Sequence, residues 1–469
     1  MNTTGSPRTV IQKIIDAHTV HKEGGRTLLY VDRVILADTA RSAFNLLKDE
    51  GREVRRPRQV IAIPDHFTPS SGTTFDDIVD DERRDLIRDV EVRAKEQGIL
   101  VFGVGDPRRG IQHIVSTEQA LAQPGVIIVA ADSHTPTQGA VGALAFSVGT
   151  DLAHALATQC VWIQEPRTLR IQLEGDVAEN VTAKDVVMAV IAKMSSTGAS
   201  GLAIEYGGNF IRHLPVESRM TLCNMSVEMG ARFAIVPPDD ITFEYLRNRP
   251  FAPSGRNWEN ALVYWRTLSS DDGAPYAREM TFDVANVQPM VTWGCNAEDA
   301  VSITSTVPDP AVEDNDERRA QMQKSLEYMG LKPRTKLTDV TLDQVFIGSC
   351  ANSTLEDLRA AAQILRGRRV TVPTLVVPGS GLVKAKAEEE GLDQIFRSAG
   401  AAWGEAGCSM CSAMNGDIVR PGARCASTSN RNHMGRQGPG SRTHLVSPPT
   451  AAASAVMGHL ADVRKLEGA

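Results

Sequence analysis

The sequence predicts an α/β fold of parallel layers, in more than one domain. Three observations carry this. Short β-rich runs alternate with helical stretches through the first third, as in QVIAIPDH (59–66), the charged run 80–98 and ILVFGVG (99–105). The run from Val126 to Ala131 is continuously apolar, as expected of a strand buried on both faces. At 469 residues the chain is also too long for one ordinary core.

The elements follow in order. A polar start gives way to VIQKIIDAH (10–18), an amphipathic helix pattern. TLLYVDRVIL (27–36) and QVIAIPDH read as strands, and DDERRDLIRDVEVRAKEQG (80–98) as an exposed helix. PGVIIVAADSHT (124–135) is a buried strand that ends in polar residues. From about Leu169 the character shifts: LRIQLEG is a strand, and TAKDVVMAVIAKMSS is an amphipathic helix with a Thr start. The stretch from Pro237 to Arg334 is rich in Pro, Asp and Trp with poor periodicity, and reads as second-domain structure plus a long surface connection. A third unit opens near Asp339, with VTLDQVFIG a strand, SCANST a loop and LEDLRAAAQILRG a helix. TVPTLVVPGS is a further strand-to-loop passage, and PPTAAASAVMGHLADVRKL, which opens with Pro and is rich in Ala, is helical. The expected domains are 1–165, 166–335 and 336–469.

Bulk properties exclude several classes. The net charge is −7, with both signs mixed along the chain, which argues against nucleic acid as the main partner. The N-terminus has no apolar core of a secretory signal, and no run approaches a membrane span. Seven cysteines, an odd number, fit a reducing cytoplasm and free or metal-bound thiols.

Three cysteines stand out. Cys408 and Cys411 form C-x-x-C in GEAGCSMCSAMNG, and Cys350 follows the strand VFIG. Spacing alone leaves three readings open: a three-cysteine cluster, a four-ligand site that adds Cys425, and no metal. Three ligands would leave one iron of a cubane free to act as a Lewis acid.

Other residues carry chemistry by type. Asp65-His66 follows a strand, and a carboxylate beside an imidazole makes a good proton donor. Asp132-Ser133-His134 ends the buried strand, where it reads equally as a helix cap. His113 sits in GIQHIV. Glu205 lies in an apolar run and needs a partner. Asn430, Arg431 and Arg436 fall in SNRNHMGRQG, where two arginines in a Gly-containing loop suit carboxylate binding or a solvated turn.

These motifs, in this order, resemble the aconitase superfamily, and within it the large subunit of bacterial 3-isopropylmalate dehydratase. The likeness runs from LLYVDR to GHLADVR through ADSHTPTQGAVGALAFSVGTD, RMTLCNMSVEMGA, FIGSCANSTLEDLRAAA, GCSMCSAMN and CASTSNRN…GRQG…RTHLVSP. The resemblance implies three α/β/α domains around one [4Fe–4S] cluster held by Cys350, Cys408 and Cys411, with Cys425 structural. It implies catalytic roles for Asp65, His66, His113, Asp132, His134 and Glu205. It implies substrate contacts from Ser133, Asn430, Arg431 and Arg436, and a cluster contact from Asn352. Glu205 is expected near the exposed iron.

The implied activity is a cytoplasmic hydro-lyase on a small hydroxy-dicarboxylate, foremost 2-isopropylmalate in leucine biosynthesis. Full-length aconitases carry a basic serine on a fourth, swivelling domain. This chain stops after the third-domain motifs, so a small partner subunit is expected to supply it in a heterodimer. The sequence departs from the dehydratases at VILADTARSAF, at DHFTPSSG and at Gln138. Those changes lie on the substrate side, and leave citramalate, maleate or dimethylmalate as alternative substrates. An RNA-binding iron sensor is a remote alternative, disfavoured by the acidic balance.

Overall fold

The computed structural model describes residues 6–466. Three fully parallel sheets follow one another along the chain. In the first, the strands Arg33–Leu36, Val60–Ala62, Leu100–Val101, Ile127–Ala130 and Leu144–Ser147 are arranged in the spatial order third, second, first, fourth, fifth. In the last, Gln344–Ile347, Thr374–Val376, Ala402–Trp403, Arg424–Ser427 and Arg442–Leu445 repeat that order. The middle sheet, Arg167–Glu174, Leu202–Gly207, Phe233–Ile235 and Arg278–Asp283, has the same order without a fifth strand. Helices connect the strands, and the central ones are buried on both faces; Ile127, Ile128 and Val129 have no exposed surface.

One expectation needs correction. TLLYVDRVIL is two strands. Arg26–Tyr30 belongs to an antiparallel sheet with Thr19–Glu23 and Cys160–Ile163, and the chain then crosses to Arg33–Leu36. The crossing point is Asp32, whose carboxylate accepts Ile127 N at 2.7 Å and pairs with His18 Nε2 at 2.8 Å. The stretch 237–334 holds regular elements as well as connections. It holds the helices Asp240–Leu246, Arg256–Trp265 and Asp316–Met329 and an edge strand of the middle sheet. Aromatic packing organises part of it: Trp265 lies 5.4 Å from Trp258 and 5.8 Å from Phe243, ring to ring. Two of those helices are short, which explains the weak periodicity.

The first and last sheets meet along a backbone seam. Ile111 N donates to Gly379 O and Gly381 N to Arg109 O, both at 2.8 Å. Gly110, at φ +149°, allows this approach: a Cβ there would sit 2.5 Å from Gly379 O and from Ser380 Cα, which backbone cannot yield. The helix Gln112–Glu118 starts at this seam. At its other end Glu118 accepts Ser380 Oγ at 2.8 Å.

Burial pushes the Glu118 carboxyl up, from 4.5 to about 7. The unfolded chain therefore ionises first. Stability should fall as pH rises from 4.5 to about 7 and level off above, by roughly 3 kcal/mol at most. Glu118→Gln keeps the acceptor without the charge. Denaturant midpoints at pH 5 and pH 8 should separate less in this variant than in the parent, and an unchanged separation would contradict the assignment.

Candidate functional site

The chemistry-bearing residues lie past the carboxyl ends of parallel strands. Asp65-His66 follows Val60–Ala62, and Asp132-Ser133-His134 follows Ile127–Ala130. Cys350 follows Gln344–Ile347, Cys408 and Cys411 follow Ala402–Trp403, and Asn430 and Arg431 follow Arg424–Ser427. In both five-stranded sheets the first and fourth strands are neighbours with connections leaving in opposite directions. That switch point is where open α/β sheets bind ligands. Here two switch points face each other.

One half of the site is a carboxylate–imidazole array. Asp132 Oδ1 lies 3.1 Å from His113 Nε2, and Oδ2 lies 3.2 Å from His66 Nε2. The same carboxylate accepts His134 N at 2.7 Å. Burial alone would raise the Asp132 carboxyl, but the charge and hydrogen bond of His113, then those of His66, hold it well below the usual range. Burial works against the His66 imidazolium too. The charges of Asp65 and Cys408 and bonding to Asp132 and Asp38 override it and hold His66 well above 6.5. Asp65 Oδ2 accepts Gln112 N at 2.9 Å, which fixes it beside the start of the His113 helix. Asp38 is fully buried and accepts Asp65 N at 3.0 Å and His66 N at 2.7 Å. It aims the pair from below.

A second chain of contacts joins the sheets. His134 Nε2 lies 2.8 Å from Glu228 Oε1, which also accepts Arg431 Nε at 2.8 Å. Arg431 Nη1 donates to Ser133 Oγ at 2.8 Å. Burial would raise Glu228, yet His134 and then Arg431 keep it below the usual range.

The other half is sulfur. Cys350, Cys408 and Cys411 are all buried free thiols. The backbone around them is held at positive φ without glycine: Ser349 at 84°, Ser409 at 49° and Ala413 at 57°. Cys408 N donates to Asp65 O at 3.4 Å, so the cysteine loop lies against the Asp65-His66 loop. Gly407 makes room, since a Cβ there would meet Thr68 Oγ1 at 2.9 Å. Asp417 clamps the two loops by accepting Ser70 Oγ, Ser409 Oγ at 2.6 Å and Asn415 Nδ2 at 2.9 Å.

Two amides point at the sulfur. Asn224 Nδ2 is 3.2 Å and Asn430 Nδ2 3.1 Å from Cys350 Sγ. Donation to sulfur favours a thiolate ligand. Lys184, with no exposed surface, donates to Thr428 O at 2.9 Å and Ser429 O at 2.7 Å, directly before Asn430. Burial lowers its pKa to about 8, and Asp357, Cys350 and Cys411 oppose the shift.

Three buried thiols with amide donors aimed at Cys350 match the donor chemistry of an iron–sulfur cluster. Cys425 is fully buried in a strand, and its thiol donates to Ala426 O at 3.3 Å.

Two expected residues stand elsewhere. Glu205 lies in the middle sheet, where its carboxylate accepts Ser270 Oγ at 2.8 Å and Tyr276 OH at 2.9 Å. Its acid is satisfied locally, and Glu228 is the glutamate that meets the array. Asn352 turns its amide to Asp357 Oδ1 at 2.9 Å, inside the cap of the next helix, so Asn224 and Asn430 hold the sulfur contacts instead. Arg436 reaches the Cys411 carbonyl through Nε at 3.1 Å, beside the cysteine loop. Sequence reasoning missed Asn224, Glu228, Asp38 and Lys184. Asn224 and Glu228 are four residues apart in RMTLCNMSVEMGA, a spacing that puts both on one helical face.

The aconitase family (aconitate hydratase) matches residues 12–458. A solved structure with likeness over 90% of this chain and 89% of its own is the holo-form of aconitase X from Thermococcus kodakaraensis, at 14% identity and a TM-score of 0.47. The family match spans nearly the whole sequence, both switch points and all three cysteines, and the chain belongs to the aconitase family.

Proposed function

We propose that this chain is the large, cluster-bearing subunit of a hydro-lyase that dehydrates and rehydrates a small hydroxy-dicarboxylate. Interconversion of 2- and 3-isopropylmalate in leucine biosynthesis is the leading assignment, resting on the sequence likeness to the dehydratases. The observation that carries the reaction class is one juxtaposition: three buried thiols lie beside imidazoles held by carboxylates.

Cys350, Cys408 and Cys411 would hold a [4Fe–4S] cluster, which supplies a Lewis-acidic iron for a hydroxyl and a carboxylate. His66, kept protonated by Asp65 and Asp132, gives its proton to the departing hydroxyl, which leaves as water as the C–O bond breaks. Asp132 keeps His66 and His113 oriented and balances their charge. Arg431, braced by Glu228 and Ser133, binds a substrate carboxylate. The base that takes the carbon-bound proton belongs, in this reading, to a small partner subunit. Asp38 serves the array. It stands in the divergent VILADTARSAF stretch, and its Oδ2 is already engaged by the amides of Asp65 and His66, so it supports the array and not the substrate.

Two outcomes follow. Anaerobic reconstitution with iron and sulfide should give a brown chain whose colour survives Cys425→Ala and is lost in Cys350→Ser; a zinc protein dependent on Cys425 would refute the ligand set. With the small subunit added, isopropylmalate should yield an unsaturated product absorbing in the near ultraviolet. His66→Gln should lower kcat by roughly 10²–10⁴-fold. Turnover of citramalate, maleate or dimethylmalate instead would move the substrate and keep the chemistry. Inactivity on all four acids with an intact cluster would end the hydro-lyase reading.

A further inference from the structure

We propose that the chain without its cluster carries a mononuclear site for one thiophilic divalent cation of the zinc class, formed by Cys408, His66 and Asp65. One donor atom from each of the three lies within 4.8 Å of the other two. They offer sulfur, nitrogen and oxygen, three donor types that zinc accepts together, with a fourth position left for water.

The donor atoms are also buried. Asp65 Oδ1 and His66 Nδ1 form an ion pair at 2.6 Å, and a cation bound between them would displace the proton they share. Asp65 is 1% exposed, so this oxygen is not turned to solvent. The other nitrogen of His66 faces the Asp132 carboxylate at 3.2 Å. That is the arrangement in which a carboxylate takes the far N–H of a metal-bound imidazole and leaves the near lone pair for the metal. Cys408 is held against Asp65 by the backbone bond from its own N–H.

The consequence rests on the proposed cluster. Cys408 and His66 serve both sites, so a bound cation must leave before the cluster assembles, and zinc delays maturation of this chain. The test uses the full chain, anaerobic and free of iron, with Co²⁺ as the probe. One Co²⁺ per chain should bind, with a sulfur-to-cobalt charge-transfer band. Cys408→Ser and Cys408→Ala should each abolish that band, and His66→Gln should weaken binding by roughly 10–100-fold. Cys350→Ser and Cys411→Ser should leave the affinity within about threefold, well short of the loss expected for a ligand. Circular dichroism on every variant checks the fold. Zinc added before iron and sulfide should slow the appearance of cluster colour, and a chelator should restore it.

A tenfold or greater loss in Cys350→Ser or Cys411→Ser would assign the cation to the cluster thiols and overturn the triad. Absence of the charge-transfer band would overturn it as well. Cobalt binding to the mixed triad in a chain that forms no cluster would uphold this site while refuting the proposed function.

Discussion

The site exists because two loops from different sheets are bonded to each other. The Asp65–Ser70 loop of the first sheet and the cysteine loop of the last share the Cys408 N–H to Asp65 carbonyl bond and the Asp417 clamp. The seam at Gly110 holds the same two sheets a short distance away. Without these contacts the thiols would sit on one layer and the imidazoles on another. A separation set by backbone bonds is far stiffer than one set by long side chains, which is what a site built on fixed geometry requires.

The second requirement is charge. A buried ionised group is costly unless paired, and this interior holds many. Some pair within one unit and some between units. Asp132 meets one histidine from a loop and one from a helix of its own unit, and Glu228 from the middle segment meets His134 and Arg431. Among the described residues, Lys184 has carbonyls for direct partners, and it stands behind the loop that carries Asn430. Its positive charge is placed where thiolates would offset it, so the polar interior and the sulfur ligands support one another electrostatically.

Much of this was legible before the fold. The apolar run at 126–131, the Thr start of the helix Ala183–Met194 and the polar ends of strands all stand where the patterns place them. The failures have local causes. The strand TLLYVDRVIL hides a change of sheet, because an Asp inside an apolar run shows no register break until its partners are known. Glu205 looked functional because a buried acid needs a partner, but Ser270 and Tyr276, distant in sequence, supply it. Asn352, near Cys350 in sequence, was drawn into a helix cap by Asp357.

What the sequence determined by itself is the set of reactive groups and the strand ends from which they project. Alternation of strands and helices and the order of polar motifs are local properties, and the period of each element encodes them. Only the tertiary structure decided which of those groups meet. It repeated one strand order in three sheets and turned two switch points toward each other. It also put Asn224 and Glu228, unremarkable in their helix, against Cys350 and His134. The reason is physical. Pairing of buried charges and close approach of backbones are settled between segments hundreds of residues apart, and no local pattern records them.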